Sequence, residues 1–211
     1  MVKLIAFDMD GTLVDSTNIV VSCVNRTLAH YSRPPLTMAE ILPHFGKGAR
    51  ILLEGVMKTV GLEADLEECF TFYDQLYRTN PTLKGVPFEG VEETLKELRK
   101  RGIRLVVLSN RPHHQTQLIV GNTLPGLLDE VYGERPGIPI KPDPSALKTI
   151  LEANQCSEEE CLYVGDMEID MLHAQNAGVP GVGCLWGFGG QAQLRAAHRL
   201  IDHPRALLEL L

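Results

Sequence analysis

What most narrows the folds open to this chain is the stretch Leu4-Ile5-Ala6-Phe7-Asp8-Met9-Asp10-Gly11-Thr12-Leu13-Val14-Asp15-Ser16, where an apolar run stops at two carboxylates and a glycine. Val2 to Phe7 has the length and apolar content of a buried strand, and Gly11 lets the backbone turn sharply and come close to a ligand. Residues two apart in an extended chain point to the same side, so Asp8 and Asp10 leave the strand end together. Two like charges so near repel, and desolvation raises the cost, so the pair asks for a cation or a shared proton. Mg²⁺ meets that demand, since it prefers oxygen ligands and is held by one or two carboxylates with phosphate oxygens. Asp and Gly are also ordinary turn residues, so a strand followed by an acidic turn explains the stretch taken alone.

After Asp15 the period changes from strand to helix. Ser16 stands where a helix cap belongs, and Val20, Val24, Leu28 and Tyr31 share one face. Thr37 and Glu40 have capping-box spacing; Ala49, Leu52, Leu53, Val56 and Val60 form a second stripe ending at Gly61, and Leu62, Leu66, Phe70, Tyr73 and Tyr77 a third. Residues 16–84 therefore read as a small helical bundle with no strand. From residue 85 onward strands and helices alternate. Helix Val91 to Arg101 leads to a buried run, Ile103 to Leu108, ending in Ser109-Asn110; a short strand follows at Glu130 to Tyr132. Helix Ser145 to Ala153, strand Leu162 to Gly165 ending at Asp166, helix Glu168 to Ala177 and strand Gly181 to Leu185 complete the pattern, before a short strand at His198 to Ile201 and a closing helix. Such alternation implies a parallel sheet covered on both faces. The expected fold class is α/β: a doubly wound, Rossmann-like parallel sheet from residues 1–15 and 85–211, with residues 16–84 inserted as a helical cap over its carboxyl edge.

A chain of 211 residues is long enough for one core of ordinary size with a smaller insertion. Its 27 acidic and 20 basic residues give a net charge of −7, which argues against a general nucleic-acid or anionic-membrane binder. The five cysteines are scattered and lack the paired short spacings of a zinc site or redox dithiol. There is no signal-peptide layout and no bilayer-length apolar run, so a soluble cytoplasmic protein is the expectation.

In open α/β sheets ligands bind outside the carboxyl ends of the strands, and the polar clusters fall there. Asp8 and Asp10 follow the first strand, Ser109 and Asn110 the second, and Asp166 a later one. Asp166 and Asp170, four apart at a helix start, either share a cation with the first pair or act as a cap and a solvated neighbour. Ser109 and Asn110 open a predicted helix whose free N–H groups face an anion, although Ser-Asn is also turn chemistry. Lys141, between Ile140 and Pro142, is either held near this cluster by its stiff loop or solvated.

In this order and spacing the four pieces resemble the haloacid dehalogenase superfamily of phosphohydrolases: Asp8-Met9-Asp10-Gly11-Thr12 resembles its first motif, Ser109-Asn110 the second, Lys141-Pro142 the third, and Gly165-Asp166 through Asp170 the fourth. Within it the chain is similar to the phosphoglycolate phosphatases, through Phe45 to Arg50, Pro87 to Gly102 and Gly183 to Gly190. It differs from them in Ser109-Asn110-Arg111, where Thr-Asn-Lys is usual, and in Met167 where a small hydroxyl residue is frequent.

The resemblance implies a Mg²⁺-dependent phosphomonoesterase acting through an aspartyl-phosphate, with 2-phosphoglycolate the best-matching substrate. Asp8 would be the nucleophile and Asp10 the acid and base, work that contributes about 10²–10⁴-fold. Ser109 and Lys141 would hold the phosphoryl oxygens, with Gly11, Thr12 and Asn110 at the substrate too. Asp8, the Asp10 carbonyl and Asp166 would bind the metal, with Asp170 as a further or outer ligand. Lys47, Arg50 and Arg111 are candidate contacts for a substrate carboxylate. The expected partner is a small phosphorylated metabolite, bound by a monomer or homodimer. Competing readings are a sugar-phosphate or nucleotide phosphatase, a phosphomutase, and a non-catalytic phosphometabolite-binding regulator.

Overall fold

The computed structural model describes residues Met1–Leu211. Strand β1 (Leu4–Phe7) leads through the Asp8–Leu13 loop to the two-residue β2 (Val14–Asp15). Four helices follow: α1 (Thr17–His30), α2 (Met38–Ile41), α3 (Ala49–Thr59) and α4 (Leu66–Arg78). Strand β3 (Val86–Pro87) then pairs antiparallel with β2, closing a short ribbon where the helical segment leaves and rejoins the chain. The remainder is α5 (Val91–Lys100), β4 (Arg104–Pro112), α6 (His113–Thr123), β5 (Glu130–Glu134), α7 (Ser145–Ala153), β6 (Cys161–Gly165), α8 (Glu168–Ala177), β7 (Gly181–Cys184) and β8 (Arg199–Ile201). A 3₁₀ turn over Pro204–Glu209 takes the place of the expected closing helix.

The six main strands are all parallel, in the order β5-β4-β1-β6-β7-β8. Strand alternation sorts the core. Ile5 and Phe7 join Leu105, Val107 and Val164 in one apolar cluster with α5 and α6, whereas Leu4 and Ala6 join Val106, Cys161 and Tyr163 in a second with α7 and α8. Both faces are thus covered, as the predicted doubly wound sheet requires. The first cluster continues into the helical segment through Val20, Val24, Leu53, Val56 and Tyr73, so those helices share one apolar body with the sheet. No helix is long and apolar enough to cross a membrane.

β1 sits between β4 and β6, which were formed by chain running to opposite sides of it, so the strand order reverses there and a crevice opens at the carboxyl ends. Two local expectations change. Ser109 and Asn110 do not start a helix: β4 runs on to Pro112, with a register irregularity after Leu108, and α6 begins only at His113. Ser16 precedes α1, but its side chain does not cap the helix; it hydrogen-bonds Asp10 instead.

Candidate active site

The carboxyl ends of β1 and β6 bring three carboxylates into one buried point. Asp8, Asp166 and Asp170 each present an oxygen within 4.8 Å of the others. Asp170, in the first turn of α8, accepts the Met167 N–H at 3.1 Å, which ties the helix start to the cluster. Asp166 accepts from the Thr12 hydroxyl at 3.1 Å and the Phe188 N–H at 2.7 Å. Gly11 makes the close approach possible: its φ is +87°, and a Cβ there would stand 2.3 Å from Asp166 Oδ2.

Lys141 closes the cluster. Its ammonium lies 2.6 Å from Asp8 Oδ1 and 2.8 Å from Asp170 Oδ1, and its side chain is 3 % exposed. Asn110 holds the loop that carries it, accepting the Lys141 N–H at 2.8 Å and donating to the Lys141 carbonyl at 3.1 Å and the Gly46 carbonyl at 3.0 Å. Tyr163 leans on the same group, its hydroxyl 3.4 Å from Asp170 Oδ1.

These carboxylates lie close together where water is excluded. Burial, partly offset by Lys141 and reinforced by Asp170 and Asp10, pushes the Asp8 carboxyl up to about 7. Burial, with Asp170 and Asp8 beside it, also raises Asp166 well above the usual carboxylate range. Burial alone would lower the Lys141 ammonium, but Asp170 and Asp8 override it and lift its pKa well above the ordinary lysine value. A hard divalent cation fits this donor set, because one lysine leaves the buried oxygens under-neutralised and Mg²⁺ is an oxygen-seeking ion.

A stability consequence follows. Asp8 has a folded pKa near 7 and an unfolded one near 4, so between those values the folded chain binds more protons than the unfolded one. Stability of the metal-free protein therefore falls as pH rises through that window. In chelator, the melting temperature is expected to drop between about pH 5 and about pH 7.5, less steeply in Asp8→Asn, and to recover on adding Mg²⁺. Equal slopes in the two proteins, with no response to Mg²⁺, would contradict this electrostatic picture.

Above the carboxylates is a cavity of about 40 Å³, room for roughly three waters. Its floor is Asp8, Asp10, Ser109, Asn110 and Arg111; its roof comes from α1, α3, α4 and the Phe45–Gly48 turn as Val20, Phe45, Ala49, Leu52 and Tyr73, with His44 at the side. Arg111 is the one lysine or arginine on its lining.

Several expected substrate contacts fall elsewhere. Arg50 turns along α3 to pair with Glu67 of α4, its Nε at 2.7 Å and Nη2 at 2.9 Å from that carboxylate, and stacks over Phe70. It does not line the cavity, because a bidentate partner lies nearer on the neighbouring helix. Lys47 is exposed and lines a separate open groove with Ile51, Ile140 and Lys141. The side chains of Thr12 and Asn110 spend their hydrogen bonds on Asp166 and on the Lys141 loop, leaving only backbone groups for a ligand. Arg111 is at the cavity, but its guanidinium is already engaged with Asp10. Two further residues, which border glycines in the sequence and could equally have been packing residues, touch the site: Phe188, through its N–H on Asp166, and Trp186, whose indole N–H donates to the Thr12 carbonyl at 3.0 Å. The run of glycines around them was the available signal.

Comparison with known proteins agrees with this geometry. Residues 5–184 match the family model described as haloacid dehalogenase-like hydrolase. The chain is 33% identical over 217 residues to a phosphoglycolate phosphatase of Caulobacter vibrioides, covering 98% of this chain and 91% of that protein. It is 32% identical over 221 residues to one of Xanthomonas campestris pv. campestris, covering 98% and 95%. Among solved structures, that of a predicted phosphoglycolate phosphatase from Haemophilus somnus superposes with a TM-score of 0.89 at 26% identity, covering 99% of this chain and 97% of the other.

Proposed function

This chain belongs to the haloacid dehalogenase-like hydrolases and is a phosphatase, and from that premise we propose that it hydrolyses 2-phosphoglycolate through an aspartyl-phosphate on Asp8, with Mg²⁺ as cofactor. The observation that carries this reading is the junction of a buried Asp8–Lys141 pair with a small cavity roofed by the helical segment.

One Asp8 oxygen attacks phosphorus in line; its bond to phosphorus forms as the bond to the glycolate oxygen breaks. Asp10, two residues on and at the cavity floor, gives the leaving oxygen its proton. Lys141 and the Ser109 hydroxyl hold the non-bridging oxygens, neutralising charge that spreads over them as the P–O bond loosens. Water then attacks the acyl phosphate, Asp10 takes the proton back, and Asp8 is restored. Asp8, Asp166, Asp170 and the Asp10 carbonyl would hold Mg²⁺, which when bound supplies the positive charge that lets a dianionic ester sit among carboxylates. The helices of residues 16–84 act as a cap: Phe45, Leu52 and Tyr73 exclude water from the leaving group and limit its size.

Phosphate release from a panel of esters tests this. The expected result is Mg²⁺-dependent turnover with kcat/KM highest for 2-phosphoglycolate and at least about 10-fold lower for hexose phosphates and nucleotides, a gap of about 1.4 kcal/mol. A preference for those larger esters would overturn the substrate; isomerised product without phosphate release would make the protein a mutase.

A further inference from the structure

Every hydrogen bond around Asp10 runs to one residue or its neighbours. Arg111 donates from Nε to Asp10 Oδ2 at 3.1 Å and from Nη2 to Asp10 Oδ1 at 2.9 Å, a two-pronged pair in which the arginine side chain is 7 % exposed. The Ser16 hydroxyl also donates to Asp10 Oδ1. Arg111 reaches the other way as well, from Nη1 to the Tyr77 hydroxyl at 2.9 Å, and Tyr77 shares a hydrogen bond of 2.9 Å with Tyr73 on the cavity roof. One guanidinium therefore joins the loop after β1 to helix α4.

A carboxylate on a loop has two free torsions, and a planar fork fixes both at once, which a lysine ammonium does not. The same engagement argues against Arg111 serving chiefly as a receptor for a substrate carboxylate. Two of its three nitrogens already face Asp10, so an incoming anion would meet a partly spent donor beside a like charge.

We propose that Arg111 is a positioning residue: it aims the Asp10 carboxyl at the leaving oxygen and makes that aim depend on α4 being seated, through Tyr77 and Tyr73. This rests on the reading of Asp8 as nucleophile and Asp10 as proton donor. In the step concerned, the phosphorus–Asp8 bond forms, the phosphorus–oxygen bond to the leaving group breaks, and that oxygen takes a proton carried on Asp10 Oδ2, which accepts one hydrogen bond where Oδ1 accepts two. A leaving group that needs no proton is then insensitive to the aim.

The test compares kcat/KM for three small substrates with Mg²⁺ present: ethyl phosphate, 2-phosphoglycolate and acetyl phosphate, whose acetate leaves unprotonated. For this two-step reaction kcat/KM reports only events up to departure of the leaving group. In Arg111→Met the ratio of ethyl phosphate to acetyl phosphate is expected to fall about 100-fold, with the 2-phosphoglycolate to acetyl phosphate ratio falling alongside. Arg111→Lys should recover part of the loss, and Tyr77→Phe should move the ratio in the same direction by a few fold. A uniform fall on all three substrates would make Arg111 merely structural. A loss confined to 2-phosphoglycolate and expressed in KM would make it a carboxylate receptor; either result overturns the proposal. If Arg111→Met does not fold, an unchanged ratio in Tyr77→Phe overturns it alone. Asp8→Asn separates the premises: turnover surviving in that variant refutes the proposed mechanism itself, whereas its loss leaves the Arg111 comparison to decide.

Discussion

Asp8→Asn is expected to lower phosphate release from every ester by on the order of 10⁴-fold or more, while leaving the fold intact. The amide matches the carboxylate in size, so packing at the end of β1 is kept, but its oxygen is a far poorer nucleophile and carries no charge. Removing that charge also relieves repulsion: burial with Asp170 and Asp10 nearby already drives the Asp8 carboxyl up to about 7, so the metal-free variant should melt at least as high as the wild type at neutral pH. Activity and stability thus move in opposite directions, and a melting curve beside the assay checks it. A variant inactive because it is unfolded would show both falling.

Lys141→Met is the second large effect, and here the two move together. The ammonium is buried between Asp8 and Asp170 at 2.6 and 2.8 Å, and methionine keeps most of its length without its charge. Deleting one partner of a buried pair leaves uncompensated charge, at a cost of about 3–5 kcal/mol. The loss should be largest in chelator at alkaline pH, where the carboxylates are most ionised, and smaller with Mg²⁺ present. Turnover should fall by at least about 100-fold, since a preorganised positive charge at a phosphoryl group is worth several kcal/mol. Denaturant melts with and without Mg²⁺, paired with rates, test both. Equal destabilisation with and without Mg²⁺ would mean that the cation is not held where Lys141 is.

The site's frame was legible where the chain changes character abruptly. The apolar run Leu4–Phe7 ending in Asp8, and Cys161–Gly165 ending in Asp166, are pattern breaks at strand ends, and a parallel sheet with a switch point at β1 brings such ends together. What stayed hidden depends on pairings across long stretches of chain. The β2–β3 ribbon has two residues a strand, too few to show a period of two. A helix start at Ser109 is ruled out only by the pairing of β4 with β5, which carries the strand on to Pro112 opposite Glu134. Arg50 and Glu67 meet because α3 and α4 pack together, and nothing local marks them as partners. Arg111 and Asp10 are 101 positions apart; the sequence showed only that an arginine stood where a lysine was usual. Charged side chains choose their partners after the backbone is placed, so their roles were the least readable part of the chain.

Passage of the phosphoryl group through Asp8 would leave it covalently on the protein for part of each turnover. The most direct test is the mass of protein quenched in acid during turnover of 2-phosphoglycolate with Mg²⁺, followed by peptide mapping. One added phosphoryl group on the peptide carrying Asp8, removed by hydroxylamine as an acyl phosphate is and absent from Asp8→Asn, is the predicted result. Steady phosphate release with no phosphorylated protein at any quench time, or with the group on another residue, would contradict it.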